Sequence, residues 1–176
     1  MNLYTIGHST RTLEELIEVL RAHGTERLVD IRAFPMSRRL PHFNRESLER
    51  ELPKAGIDYL WMPALGGRRK RIRKDSPNIA LRSESFRNYA DYMLTPEFQQ
   101  AAAELVRFAE EKKTAYMCAE RLWWQCHRMM VSDYLVAHGH VVQHIDGAGP
   151  TKPHKLMAVA RVVDGELIYN GGELFK

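Results

Sequence analysis

Five side chains able to do chemistry fall within eleven consecutive positions: Cys118 and Glu120, then Cys126, His127 and Arg128. A thiol near a histidine or an arginine loses its proton more readily, and a helix N-terminus favours the anion further. Three chemistries can be assembled from this set. A Cys118 thiolate with His127 as base would carry acyl or thiol chemistry. Glu120 in a partly dry cleft would serve as general acid or base in a hydrolysis. Cys118, Cys126 and His127 could instead bind zinc or iron, leaving Glu120 to activate water. The plain alternative is two small buried cysteines and a satisfied histidine.

Other candidates lie elsewhere in the chain. His8 follows Gly7 and precedes Ser9, a position for a base or a substrate ligand, or for a histidine that fastens a turn. Asp30 and Arg32 alternate along one extended segment and point the same way, as an ion pair or as substrate contacts. His144 and Asp146 repeat that pattern more weakly. Arg68, Arg69, Lys70, Arg71, Arg73 and Lys74 crowd one seven-residue stretch after Gly66–Gly67. The glycines permit close backbone approach, but no P-loop pattern is present. Such a run either tracks phosphates or is a solvated loop. Among the aromatics, Trp61 and Tyr59 fall in a strand, and adjacent Trp123 and Trp124 cannot share one helix face, so Trp123 is a candidate for stacking on a base. Cys118–Ala119–Glu120 also echoes the first zinc motif of cytidine deaminases, but the chain has only two cysteines and so lacks the second half of that motif.

The elements that must position these residues alternate. Leu3–Ile6, Leu28–Ile31, Ile57–Trp61, Thr114–Cys118 and His140–Ile145 read as short strands. Helices are predicted from Leu13 to about Leu20, around Leu48 and Leu52, and at about 84–93, 96–112 and 123–138. Thr12 or Ser9 caps the first, Asn44 the second, and Thr95–Pro96–Glu97 opens the fourth. A long irregular stretch from Pro63 to about Ser83 holds the basic run, and loops of that length are commonly functional. Asp164–Gly165 between two apolar runs predicts a terminal hairpin after a Gly147–Pro153 linker. Repeated strand–helix alternation predicts an α/β fold: three layers, a mostly parallel sheet with helices on both faces, plus the C-terminal β-hairpin. The whole of 1–176 reads as one domain, with 155–176 a hairpin appendage. In open sheets of this kind ligands sit beyond the strands' carboxyl ends, which is where His8, Asp30, Cys118 and His144 fall.

Composition narrows the class. The 176 residues are 44% hydrophobic and 27% charged, ordinary for a globular chain that needs no disulfide or metal to fold. No apolar stretch approaches the ~20 residues of a membrane span. Met1 runs directly into Leu3–Ile6 with no signal-peptide pattern, and two cysteines make no disulfide framework, so a reduced cytoplasmic setting is expected. The net charge of +4 is largely local, since the chain without the basic run is slightly acidic. That points to a polyanion or a phosphate.

Thr5–Ile6–Gly7–His8–Ser9, Leu28–Val29–Asp30–Ile31–Arg32 with Pro35, Gly56–Ile57–Asp58–Tyr59 with Leu65–Gly66–Gly67, Tyr89–Ala90–Asp91–Tyr92–Met93, and Cys118–Ala119–Glu120 with Cys126–His127–Arg128 together resemble the domain of unknown function 488 family over nearly the whole length. The resemblance implies an intracellular α/β domain with a shared polar site, and supplies no reaction. The residues themselves suggest a hydrolase acting on nucleic acid or a phosphorylated small molecule, with base removal at an N-glycosidic bond as the sharper form. Glu120 or Asp30 would activate water, His8 or His127 would assist the leaving base, and Arg32 and Arg128 would position phosphate. Ser9 would help hold the substrate, Arg68, Arg69, Lys70 and Arg71 would hold the strand, and Trp123 would stack on the base. No cofactor is expected under this reading. The alternatives are a thiol or metal enzyme built on Cys118, Cys126 and His127, and a nucleic-acid-binding adaptor with no activity.

Overall fold

The computed structural model describes residues 1–171. The chain runs β1 (Asn2–Gly7), α1 (Leu13–Ala22), β2 (Arg27–Asp30), α2 (Arg45–Lys54), β3 (Asp58–Trp61), α3 (Glu84–Met93), α4 (Pro96–Glu111), β4 (Thr114–Cys118), α5 (Arg128–Ala137), β5 (Val141–Ile145), β6 (Lys152–Pro153), β7 (Ala160–Val163) and β8 (Glu166–Tyr169). Strands β3, β2, β4, β1, β5 and β6 form one sheet in that order, parallel except for β6. The three-layer α/β fold and terminal hairpin expected from the sequence are what is found.

Side-chain alternation along the strands divides the core into two layers. Leu28, Ala115 and Met117 face Leu16 and Leu20 of α1 and Leu48 and Leu52 of α2. Leu3, Val29, Tyr116 and Val142 face α3, α4 and α5. The same period puts Thr5, Cys118 and His144 on the α5 side. Thr5 lies in register with Tyr116 of β4 and His144 of β5, so three polar groups form one row across the sheet.

Local chemistry explains the ends. Thr12 caps α1 in a reciprocal capping box with Glu15, and Thr95 caps α4 ahead of Pro96. Asn44 precedes α2 but makes no side-chain cap, because its amide oxygen accepts the Ser37 N–H at 2.6 Å. The helix predicted from 123 begins at Arg128. A 3₁₀ turn at Trp123–Gln125 precedes it, and Cys126 is extended (φ −135°, ψ 153°), which breaks the helical path. The expected linker contains the two residues of β6. The hairpin turns through Asp164 (φ 52°) and Gly165 (φ 80°), both left-handed as a two-residue turn requires. It packs on the body through buried Leu167 and Tyr169, whose hydroxyl donates to Asp133 of α5 at 2.8 Å. Residues 172–176 of the expected hairpin segment lie outside the described residues.

Past Gly7 the chain continues to pair with the segment after β4: His8 N–H donates to Cys118 O at 2.9 Å and Ser9 N–H to Ala119 O at 3.0 Å. The approach is close enough that a Cβ on Gly7 would fall 1.9 Å from Glu120 O, against backbone that cannot rotate away. Gly7→Ala should therefore lower unfolding stability by about 3 kcal/mol. Urea denaturation measures this, and a loss under about 1 kcal/mol would mean that the two segments part at little cost.

Candidate functional site

A cleft of about 420 Å³ opens beyond the carboxyl ends of β2 and β4. Cys118, Cys126 and His127 line it, with Glu120, Arg32 and Arg68 at its walls. Phe34, Phe86 and Tyr89 supply aromatic surface. Cys118, the last residue of β4, and Cys126 and His127, the two residues ahead of α5, meet here, so the structure brings these three members of the sequence cluster together.

Cys118 is at the cleft floor, 2.6 Å from Cys126 Sγ, and both cysteines are free. Arg128 Nε–H donates to Cys118 Sγ at 3.1 Å. The rest of that guanidinium is spent within the protein: Nη1 on Thr5 Oγ1 (2.9 Å), Nη2 on the carbonyls of Glu120 (2.6 Å) and Arg121 (3.1 Å). Arg128 is 1% exposed. Among the described residues no carboxylate stands within ion-pair distance of it. A buried cation needs compensating charge, and the one ionisable acceptor it touches is Cys118. Burial alone would raise the Cys118 thiol, but the hydrogen bond from Cys126, the charge of Arg128 and its Nε–H outweigh it and bring the thiol below its usual value. Cys126 is pushed the other way by its bond to Cys118, by burial and by the Cys118 charge. Of the two, Cys118 is the thiol that gives up its proton more readily and Cys126 the one that keeps it.

His127 donates Nε2–H to Ile31 O at 3.0 Å, which leaves Nδ1 as an acceptor 3.4 Å from Cys126 Sγ. Burial, with the charges of Arg128 and Arg69 behind it, lowers this histidine to about 4 despite the opposing Ile31 bond, so the ring is neutral near pH 7. Gly67 closes over the ring: a Cβ there would sit 3.1 Å from Nδ1.

His8 is buried against Phe43, its Nδ1–H on Ser9 O (2.8 Å) and its Nε2 facing Arg32 Nη1 at 3.3 Å. Ser9 holds a left-handed backbone (φ 53°) that turns the chain back past β4. Asp30, expected to activate water, is fully enclosed. Its oxygens take Arg32 Nε (2.8 Å), Arg32 Nη2 (2.6 Å), Arg32 N–H (3.1 Å) and Tyr59 Oη (2.5 Å). It therefore anchors Arg32 and does not reach the cleft. The expected phosphate role of Arg128 also gives way, because the side chain is 1% exposed, four of its five N–H donors are spent inside the fold, and it does not line the cleft. Trp123 stacks flat on His144 with centroids 4.1 Å apart, outside the cleft lining.

The basic run divides. Arg68 reaches the cleft wall over Phe34. Arg69 is pinned by the carbonyls of Gly66 and Pro63 and lies over Tyr92 at 3.8 Å. Lys70 is exposed, and Arg71, Arg73 and Lys74 border a neighbouring cavity of about 320 Å³ that Ser76 and Arg87 also line. Among the described residues no group of three or more His, Cys, Asp or Glu side chains is arranged to hold a metal ion, the Cys118–Cys126–His127 set included.

The family model described as "Domain of unknown function DUF488" matches residues 12–135, well over half of the sequence. The chain belongs to the DUF488 family. No curated protein and no solved structure matches it. For this DUF488 chain, then, the site's own geometry carries the functional argument. No helix among the described residues is long and apolar enough to cross a membrane.

Sequence reasoning missed Asp133 and His154, which form a buried hydrogen-bonded contact at 2.7 Å behind the site. The signal for Asp133 was present: a lone carboxylate among Met129, Met130, Val131 and Leu135 on a helix that is apolar nearly all round.

Burial also holds His8 and His127 at about 4 and His144 at about 3, below the usual 6.5. Below about pH 6.5 the unfolded chain binds protons that the folded chain refuses. Stability from these groups is therefore complete above pH 6.5 and lost as pH falls toward 4, by up to about 1.4 kcal/mol per pH unit for each. Urea midpoints between pH 7 and 4.5 should fall steeply, and a flat profile would contradict the neutral assignments.

Proposed function

We propose that this DUF488 protein is a thiol-dependent hydrolase acting on a phosphate-bearing substrate, a nucleotide or a nucleic-acid strand, with Cys118 as nucleophile. The observation that carries the reading is the buried Arg128 guanidinium at 3.1 Å from Sγ of Cys118, which lines the cleft, with no carboxylate among the described residues within ion-pair distance of that guanidinium. That arrangement keeps a sulfur anion ready at neutral pH.

The chemistry follows from the neighbours. The Cys118 anion attacks an electrophilic centre of the substrate, a bond to sulfur forms, and the bond to the leaving group breaks. Cys126 holds the shared proton and hands it to the leaving group. Water, deprotonated by Glu120 at the cleft wall, then cleaves the bond to sulfur and returns Cys118 as the anion, and the proton taken up by Glu120 passes back to Cys126, which restores the starting state. His127 Nδ1 stands beside Cys126 to accept or restore its proton. Arg68 faces the substrate's anionic group, and Lys70, Arg71, Arg73 and Lys74 extend that positive field to one side, which suits a polyanion.

Base removal at an N-glycosidic bond is the second reading. Glu120 is the one carboxylate lining the cleft among the described residues, and the rings of Phe34, Phe86 and Tyr89 offer a wall for a base. Here Glu120 would activate water and Cys118 would stay intact.

A product-resolved screen of modified DNA, RNA and nucleotides with wild type, Cys118→Ser and Glu120→Gln separates the two. The thiol reading expects Cys118→Ser to lose about 10³-fold or more in turnover and Glu120→Gln about 10²-fold. Full turnover by a folded Cys118→Ser protein would end it and favour base removal. Iodoacetamide should label Cys118 before Cys126 near pH 6.5, and labelling of both only above the ordinary thiol range would overturn the anion assignment.

A further inference from the structure

Behind Arg128 a file of buried polar groups crosses the molecule. Arg128 Nη1 donates to Thr5 Oγ1 at 2.9 Å. Thr5 Oγ1 lies 2.7 Å from His144 Nδ1, and His144 Nε2 lies 2.8 Å from His154 Nδ1. His154 Nε2 meets Asp133 Oδ1 at 2.7 Å. Asp133 also accepts from Met157 N–H (3.1 Å) and Tyr169 Oη (2.8 Å). Thr5, Asp133, His144 and Arg128 are all buried, and the indole of Trp123 covers His144. None of these groups reaches the cleft, yet the file ends on the guanidinium that touches Cys118.

Its polarity is set by proton counting. Arg128 can only donate, so Thr5 Oγ1 accepts from it. The Thr5 hydroxyl proton then needs an acceptor in a dry site, and His144 Nδ1 is the one beside it. His144 must therefore carry its proton on Nε2 and donate to His154 Nδ1. His154 in turn carries its proton on Nε2 and donates to Asp133. Every bond points the same way, from the cation at one end to the carboxylate at the other. Burial above all, with the charge of Arg128 behind it, holds His144 well below its usual value, consistent with a single proton on that ring.

We propose that Thr5, His144, His154 and Asp133 form a one-way hydrogen-bond relay that fixes the Arg128 guanidinium against Cys118, so that these four are positioning residues for the thiolate. The proposal rests on the thiol reading above. In the dry interior such a file does what a direct carboxylate partner does elsewhere, holding the guanidinium's orientation while leaving Nε–H for sulfur. A carboxylate in direct contact with Arg128 would compete with Cys118 for its charge. With Asp133 at the far end of two imidazoles, that competition is weak, and the cation's nearest anion is sulfur.

The groups facing Cys118 are Cys126 and His127 from the loop after β4, Arg128 from α5, Glu120 beside it, and Arg32 and Arg68 across the cleft. The test alters none of them. Thr5→Val keeps the shape of the side chain and removes only the hydroxyl link, while Thr5→Ser restores it. Iodoacetamide labelling of Cys118 is followed by mass spectrometry across pH for wild type, both Thr5 variants and His154→Gln, with melting temperatures recorded alongside. Loss of the link frees Arg128 from its place, the anion loses a donor, and the labelling midpoint rises. The expected rise for Thr5→Val is about half to one pH unit, read as a three- to tenfold slower labelling near pH 6.5. Thr5→Ser should stay within about twofold of wild type, and His154→Gln should shift the midpoint the same way. If Thr5→Val fails to fold, His154→Gln decides. Wild-type midpoints in both, or in whichever folds, would overturn the relay even if melting temperatures drop. A wild-type Cys118 that labels only in the ordinary thiol range would instead overturn the thiol reading. Long-range ¹H–¹⁵N spectra of the histidines give a check that needs no thiol: both His144 and His154 should carry the proton on Nε2, and a proton on His144 Nδ1 would break the stated polarity.

Discussion

The structure depends on a cation placed where water cannot reach it. Arg128 is the first residue of α5, and its guanidinium lies under the carboxyl ends of β1 and β4 with all its hydrogen bonds made to the protein. Burying a guanidinium costs several kcal/mol unless its charge and its donors are both met. Four of its five N–H donors are met by two carbonyls, a hydroxyl and a sulfur. The charge is met by lowering one thiol. A great deal of the surrounding fold follows from that need: the row of polar groups across β4, β1 and β5, the tight passage of Gly7 past Glu120, and the extended Cys126 that delays the start of α5.

The same logic separates the two arginines that the sequence put at strand ends. Arg32 has a carboxylate in direct bidentate contact, and Tyr59 adds a second hydrogen bond to Oδ2 of Asp30. That pair is self-contained, and its effect on the cleft is to hold His8 and to leave a fixed positive wall. Arg128 has no such partner, so its charge is expressed on Cys118. Two buried arginines a few ångströms from one cleft thus play different parts because of what lies next to each.

Much of this was legible in the sequence, and the reasons are particular. Strands such as Leu28–Val29 and Thr114–Cys118 show as short apolar runs because both faces of a parallel strand are covered. Cys118 and the Cys126–Arg128 group could be assigned to one site because a strand end and the next helix start are neighbours in this fold. The roles within the site were harder. Whether Asp30 faces a cleft or a guanidinium depends on Tyr59 and Arg32 closing over it, which no spacing records. Trp123 looked like a stacking residue, and it does stack, but on His144, more than twenty positions away in the chain. The start of α5 moved from 123 to 128 because residues 123–125 make a 3₁₀ turn and Cys126 leaves the helical path, a tertiary demand that helical periodicity cannot show. His154 lay just past the Gly147–Pro153 linker and ahead of the hairpin, where a single polar residue carries no pattern. The basic run was visible as charge, but which of its side chains fold back on backbone, Arg69 on the carbonyls of Gly66 and Pro63 and Arg71 on those of Arg73 and Lys74, depended on the path of the loop.

The C-terminal hairpin adds a temporal consequence. Tyr169 donates to Asp133, and its backbone N–H donates to the side chain of Asn78, which itself holds Asp91 of α3. The partners of Asp133 thus include Met157 and Tyr169, near the end of the sequence. During synthesis the sheet core through β5 leaves the ribosome before them. A nascent chain at that stage has Cys118, Cys126 and Arg128 but an Asp133 carboxylate without these contacts. The contacts behind Cys118 are therefore complete only after β8 docks, so the hairpin must be made before the site takes its final form.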